Sequence, residues 1–208
     1  MPIRKPKDPE RSPDLPQNWI QRQLEYLEKF LLFDPIEIRT WDYRRARLVG
    51  SNEYEYLDEE WRTITVGDQW GGCDVTGFFR TVLTIPESHA GPDTFLDIDM
   101  DGGETQLSIN GCPWQGLDWY RSLVPLGDFA QAGRELGLEM EAFIINYPYD
   151  ERRRDEREHH QFAKARLVKL DRKIAGFLYD ARFVLDAYMS YWQSDENRDI
   201  EGFLLHHL

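Results

Sequence analysis

The sequence predicts a mainly-β sandwich with an N-terminal helix and a C-terminal helical tail. Three observations carry this expectation. Across residues 78–125, short runs of alternating apolar and polar residues are broken by Pro86, Asp101-Gly102-Gly103 and Asn110-Gly111, which are strand-ending or turn-forming signals. Residues 138–146 alternate again, with Leu138, Met140, Ala142 and Ile144 on one face. Beyond them the apolar spacing lengthens from two to three and four, the helical period.

In chain order, residues 1–16 carry five prolines and many charges and predict an arm without a core of its own. Asn18 is placed to cap a helix over residues 19–32, with Trp19, Ile20, Leu24, Leu27 and Leu31 at helical spacing and Asp34-Pro35 ending it. Residues 35–54 are β-prone and include Arg44, Arg45 and Arg47, whose expected partners are local carboxylates. Residues 61–67 predict a strand. Residues 67–77 predict a wide glycine-rich loop, which lacks the Gly-Lys-Ser/Thr that a phosphate-binding loop requires. In the strand over residues 78–85, Phe79, Thr81, Leu83 and Ile85 share a face. Residues 94–100 are expected to form the next strand, with Asp97 and Asp99 on a solvated side. Residues 114–121 are expected to form an aromatic and polar loop, residues 122–126 a short strand, and residues 130–137 a turn.

Residues 151–162 are almost all charged and predict a solvated segment. From residue 162 to 192 apolar residues recur at three and four, which predicts one long helix or a broken pair. A final apolar stretch of about two turns ends at Leu208 and leads to the expectation of a longer parent protein. The division expected is an arm and helix over 1–35, a sandwich over 36–150, and a charged linker with helical segment over 151–208.

The formal net charge of −13 argues against a nucleic-acid partner, because phosphate binding needs concentrated Lys and Arg. No export signal and no apolar run of about 20 residues is found, so a cytoplasmic protein without a membrane partner is expected. In that setting Cys73 and Cys112 are expected as free buried thiols, although their spacing is also compatible with a disulfide. Asp97, Asp99 and Asp101 alternate as in a calcium loop, but the twelfth position from Asp97 is Ser108 rather than glutamate. The pairs His159-His160 and His206-His207 are expected at the surface, because adjacent histidines on a helix point apart. No catalytic set, metal site or cofactor site emerges in this chain.

The ligand candidates are Trp70, Trp114, Asp118, Trp119, Tyr120 and Arg121. Aromatic faces stack on sugar rings while Asp and Arg bind hydroxyls, and the same residues suit packing against a neighbouring domain. Both readings stand at this level.

The stretches GDQWGG (67–72), GFFRTVLTIPE (77–87), LSINGCPWQGLDWYRSLVPL (107–126) and GLEMEAF (137–143) resemble the N-terminal β-domain of bacterial α-mannosidases of glycoside hydrolase family 38. The shared features are a Phe-Phe-Arg strand running into Ile-Pro, an Asn-Gly turn, and a Gly-x-Asp-x-x-Arg loop at Gly116, Asp118 and Arg121. A returning Glu-x-Glu-Ala strand at Glu139, Glu141 and Ala142 completes them. The tail from Ala165 also resembles the linker to that family's catalytic domain. The resemblance implies a jelly-roll, galactose-binding-like sandwich that supports a downstream catalytic domain, in a parent enzyme that hydrolyses terminal α-mannosides and can be a homo-oligomer. The divalent, zinc-like metal and the catalytic carboxylates would belong to that downstream domain. Gly116, Asp118 and Arg121 would face it or its substrate. Two alternatives remain. One is a stand-alone carbohydrate-binding module built on Trp114, Trp119 and Tyr120. The other is the sandwich of a β-galactosidase-like enzyme, which shares the strand, the Ile-Pro and the Asn-Gly turn but fits poorly with a helical tail after Tyr147.

Overall fold

A computed structural model describes residues 16–72, 74–143 and 159–191. In order they form α1 (Pro16–Glu28), β1 (Leu32–Glu37), β2 (Thr40–Gly50), β3 (Glu53–Tyr56), β4 (Arg62–Thr65) and β5 (Gln69–Trp70). Next come β6 (Thr76–Thr84), β7 (Thr94–Asp99), β8 (Glu104–Ile109), β9 (Cys112–Leu117), β10 (Leu123–Pro125) and β11 (Glu135–Phe143). The described chain closes with β12 (His160–Gln161), β13 (Lys164–Leu170) and α2 (Arg172–Tyr191). Two compact units result, one from residues 34–170 and one from the two chain ends on either side of it.

The larger unit is a β-sandwich. One sheet has four strands in the order β1-β13-β7-β10; the other has seven, in the order β3-β2-β6-β11-β8-β9 with β4 also on β2. Every pairing with a resolved register is antiparallel. The alternating residues meet between the sheets: Leu96, Ile98, Val124 and Leu167 from one, Tyr43, Phe79, Leu107, Leu138 and Met140 from the other. Trp41, Tyr43, Trp70, Phe79 and Phe162 form an aromatic cluster at the centre, with ring centroids 4.7–5.7 Å apart along its contacts. Both turn signals hold. Asn110 and Gly111, with φ of 54° and 75°, make the tight hairpin between β8 and β9, and Asp101 and Gly102, with 53° and 89°, turn the chain from β7 in one sheet to β8 in the other.

Several expectations are corrected. The helical reading from residue 162 fails over 164–170, which are strand β13 in register with β7 from Lys164↔Asp99 to Lys169↔Thr94. Ala165, Leu167 and Val168 are buried there, so their spacing reflects a strand covered on both faces. The sandwich therefore runs past residue 150. The 67–77 loop is interrupted by β5, which pairs with β12. Trp114 lies in strand β9 rather than in a loop, and Pro113 is tolerated there because β9 is an edge strand. Asp34-Pro35 sits inside β1, also an edge strand. Residues 144–158 and 192–208, with Ile144 and the His206-His207 pair, lie outside the described residues.

In the smaller unit, α1 starts at Pro16 and closes in a tight turn in which the amides of Phe30 and Leu31 reach the carbonyls of Leu27 and Glu28. Its apolar side, Ile20, Leu24, Leu27 and Leu31, packs on Leu178, Leu185 and Tyr188 of α2. Trp19, predicted on that stripe, points away and is exposed. Asp171 caps α2 by accepting from the amides of Lys173 and Ile174 at 2.9 and 3.0 Å. No described helix is long and apolar enough to cross a membrane.

Candidate functional site

The feature most exposed to a partner is the turn after β9. The Asp118 carboxylate accepts from the Tyr120 amide at 2.8 Å and from Arg121 Nε at 3.0 Å, and Asp118 and Arg121 also form an isolated antiparallel bridge. Hydrogen bonding to Arg121 holds the Asp118 carboxyl below the usual carboxylate range and the guanidinium above its own. This clamp fixes the base of a loop whose tip carries Trp119 at 66% and Tyr120 at 95% exposure. Trp119 lies over Gly102: a Cβ there would come within 1.9 Å of the indole, so a side chain at position 102 would displace the Trp119 ring.

The structure brings together Gly116, Asp118, Trp119, Tyr120 and Arg121. It separates the other two candidates by role. Trp114 is half-exposed but donates from Nε1 to the Pro125 carbonyl at 3.0 Å and packs edge-on against Phe129. Trp70 is only 1% exposed, pressed against Gly103 and Phe79 in the core, so no sugar can reach its face.

The other polar clusters are structural. Asp97 is 2% exposed rather than solvated: Lys164 Nζ and Arg166 Nη2 from β13 reach its carboxylate at 3.1 and 2.7 Å. Asp99 accepts from the Asp101 amide, so the alternating aspartates are already engaged. His160 is buried, with Nδ1 2.6 Å from the Asp101 carbonyl, where a surface position was expected. His89 is buried as well, with Nε2 2.7 Å from the Asp34 carbonyl. Arg45 forks onto the Asp58 carboxylate as expected, whereas Arg44 reaches the main-chain carbonyls of Asp58 and Glu59 rather than a carboxylate. Cys112 is a free thiol and exposed, not buried, because β9 is an edge strand; Cys73 lies outside the described residues.

A patch missed from sequence lies on the outward face of the large sheet. Phe78 packs edge-on against Tyr54 at 5.0 Å, the Arg80 guanidinium sits 4.1 Å above the Trp61 ring, and the Tyr54 hydroxyl donates to Glu141. The signal was present in the alternation: Phe78, Arg80, Glu139 and Glu141 occupy the positions that the core-facing residues skip.

Desolvation, with the Glu141 hydrogen bond second, raises the Tyr54 hydroxyl to about 12. Its folded pKa lies above the unfolded value, so the contribution is complete below about pH 10 and is lost as pH rises toward 12. The urea midpoint is expected to fall between those pH values in the wild type and to fall less in Tyr54→Phe. Equal slopes would show that Tyr54 does not carry the effect.

No family model matches this chain, and no curated protein matches it. Among solved structures, Faecalibacterium prausnitzii β-glucuronidase aligns with 66% of this chain and 31% of its own at 9% identity and a TM-score of 0.45. A glycosyl hydrolase family 2 member from Bacteroides cellulosilyticus DSM 14838 aligns over 66% and 21% at 13% identity and a TM-score of 0.45. The Dictyoglomus thermophilum β-D-mannosidase aligns over 66% and 23% at 12% identity and a TM-score of 0.44. The chain thus spans less than a third of the length of these structures. None of the three is named an α-mannosidase. Likeness at this level assigns no function, and the sandwich stands on its own strands and core.

Proposed function

We propose that the sandwich is a non-catalytic domain of a glycoside hydrolase, of the β-galactosidase-like rather than the α-mannosidase kind, and that its Asp118–Arg121 loop docks on the catalytic domain. The observation that carries the docking role is the clamp, which holds Trp119 and Tyr120 outward on a rigid base. Exposed aromatics on a pre-ordered loop are characteristic anchors of an interface. β13 supports the choice between the two kinds. The helical tail after Tyr147 weighed against the β-galactosidase-like sandwich, and its part from Lys164 to Leu170 is a strand of the sandwich, so that the helix begins only at Arg172.

The test assays this chain, and the chain extended through its native downstream sequence, on chromogenic β-galactoside, β-glucuronide and α-mannoside, each with and without EDTA. Hydrolysis of a β-glycoside by the extended form alone is expected. Chelator-sensitive hydrolysis of the α-mannoside would restore the α-mannosidase reading with its divalent metal. Turnover by the 208-residue chain would overturn the non-catalytic role. Inactivity of both forms, with glycan binding that Tyr120→Ala abolishes, would make this a stand-alone binding module.

A further inference from the structure

The outward face of the seven-stranded sheet forms a trough that meets the base of the docking loop at one end, where Asp118 and Arg121 line it. Register places Asp42, Arg80, Glu139 and Ser108 in one cross-strand row, and Phe78, Glu141 and Gln106 in the next. Three adjoining depressions of about 440, 270 and 440 Å³ lie along these rows. The first two share Arg80 and Glu139, and the last two share Gln106 and Glu141, so they are continuous. Along β11 the trough extends from Gly137 to Phe143, about 20 Å at the usual rise per residue. That length suits a chain of several sugar units rather than a single one.

Its charge limits what it can hold. Arg80 is paired with Asp42 at 3.1 Å, and Arg121, at one end, with Asp118. Glu104, Glu139 and Glu141 remain without a cation among the lining residues. An anionic chain, whether of uronic acids or phosphates, would meet these carboxylates across a distance too short for salt to screen. The polar groups are mixed in kind: Arg80 only donates, Glu139 and Glu141 only accept, and Gln106 and Ser108 do both. A hydroxyl is both donor and acceptor, so adjacent hydroxyls of a sugar satisfy such a mixture together. The cations of a basic peptide supply only donors, so they match Glu139 and Glu141 and leave the donors of Arg80 unmatched. Trp61 and Phe78 add an apolar border for the C–H faces of a sugar ring.

We infer that this trough binds an oligosaccharide free of acid groups, neutral or amino-sugar, with Glu139 and Arg80 as the central hydrogen-bonding pair. The inference does not depend on the docking role of Trp119 and Tyr120.

Calorimetric titration of the 208-residue chain tests it. The probes are hexasaccharides of β-linked glucose, mannose, galactose, N-acetylglucosamine and glucosamine, with a galacturonate hexamer and a hexalysine peptide as contrasts. At least one of the five acid-free hexasaccharides is expected to bind. Glu139→Ala and Arg80→Ala should weaken it by about tenfold or more, Glu139→Gln should weaken it less than Glu139→Ala, and Tyr120→Ala should leave it within about twofold. Both altered positions are exposed, and far-UV circular dichroism confirms that each variant is folded. Binding of the galacturonate or hexalysine probe alone, binding of no probe, or affinity that survives Glu139→Ala overturns the inference. Affinity lost in Tyr120→Ala but kept in Glu139→Ala would move sugar binding to the loop.

Discussion

Replacing Trp70 by alanine is expected to lower the unfolding free energy by about 3–5 kcal/mol, the range for removing a large aromatic from a packed core. The indole is enclosed on several sides. Phe79 meets it edge-on at 5.6 Å, and its six-membered ring abuts Gly103 and Gly77, where an added Cβ would come within 2.6 and 3.1 Å of it. Those contacts leave little freedom for neighbours to collapse into the cavity, which places the cost toward the upper end. Trp70→Phe is expected to cost much less. It keeps most of the apolar volume and removes Nε1, a buried donor with no hydrogen-bond partner among the described residues. Trp119→Ala, on the exposed loop, should stay within about 1 kcal/mol. Urea midpoints of the three variants decide the matter. Equal destabilisation by Trp70→Ala and Trp119→Ala would contradict the burial described for Trp70.

Asp97→Ala is expected to cost about 2–3 kcal/mol, below the range for a fully buried pair. The carboxylate is enclosed between Lys164 and Arg166, so its loss leaves two like charges side by side on β13. Both cations retain about a third of their exposure and can turn toward water, which moderates the penalty. Arg166→Met should cost less than Asp97→Ala, because Lys164 still neutralises the carboxylate. The double variant Asp97→Ala/Arg166→Met should be more stable than the sum of the two single changes predicts, a coupling that a double-mutant cycle reads directly. Additive effects would mean that the pair contributes nothing as a pair.

The sheet meander was legible because strand alternation and turn chemistry are local. Phe79, Leu83 and Ile85 face the core as their spacing predicts, and the two tight turns fall where glycine follows Asp or Asn. The loop of Asp118 to Arg121 was legible for a similar reason: a short polar-aromatic stretch between two apolar runs has little to bury. Trp70 misled because glycines on both sides give it the look of a loop tip. The close fit around it comes instead from Gly77 in β6 and Gly103 in the turn after β7, which no pattern near Trp70 records.

By itself, then, the sequence determined the class of fold, the positions of the tight turns, the amphipathic side of α1 and the identity of the exposed aromatic loop. Each depends on the chemistry of neighbouring residues. Tertiary structure decided the rest. Residues 164–170 read as helix until pairing with β7 places them in the sandwich, with Ala165 and Leu167 buried on one face and Val168 on the other, a spacing that cannot be distinguished from a helix. Asp97 reads as solvated until β13 brings two cations to it. The trough on the large sheet exists only because register aligns residues from β2, β6, β11 and β8, and no local pattern records which strands will lie side by side.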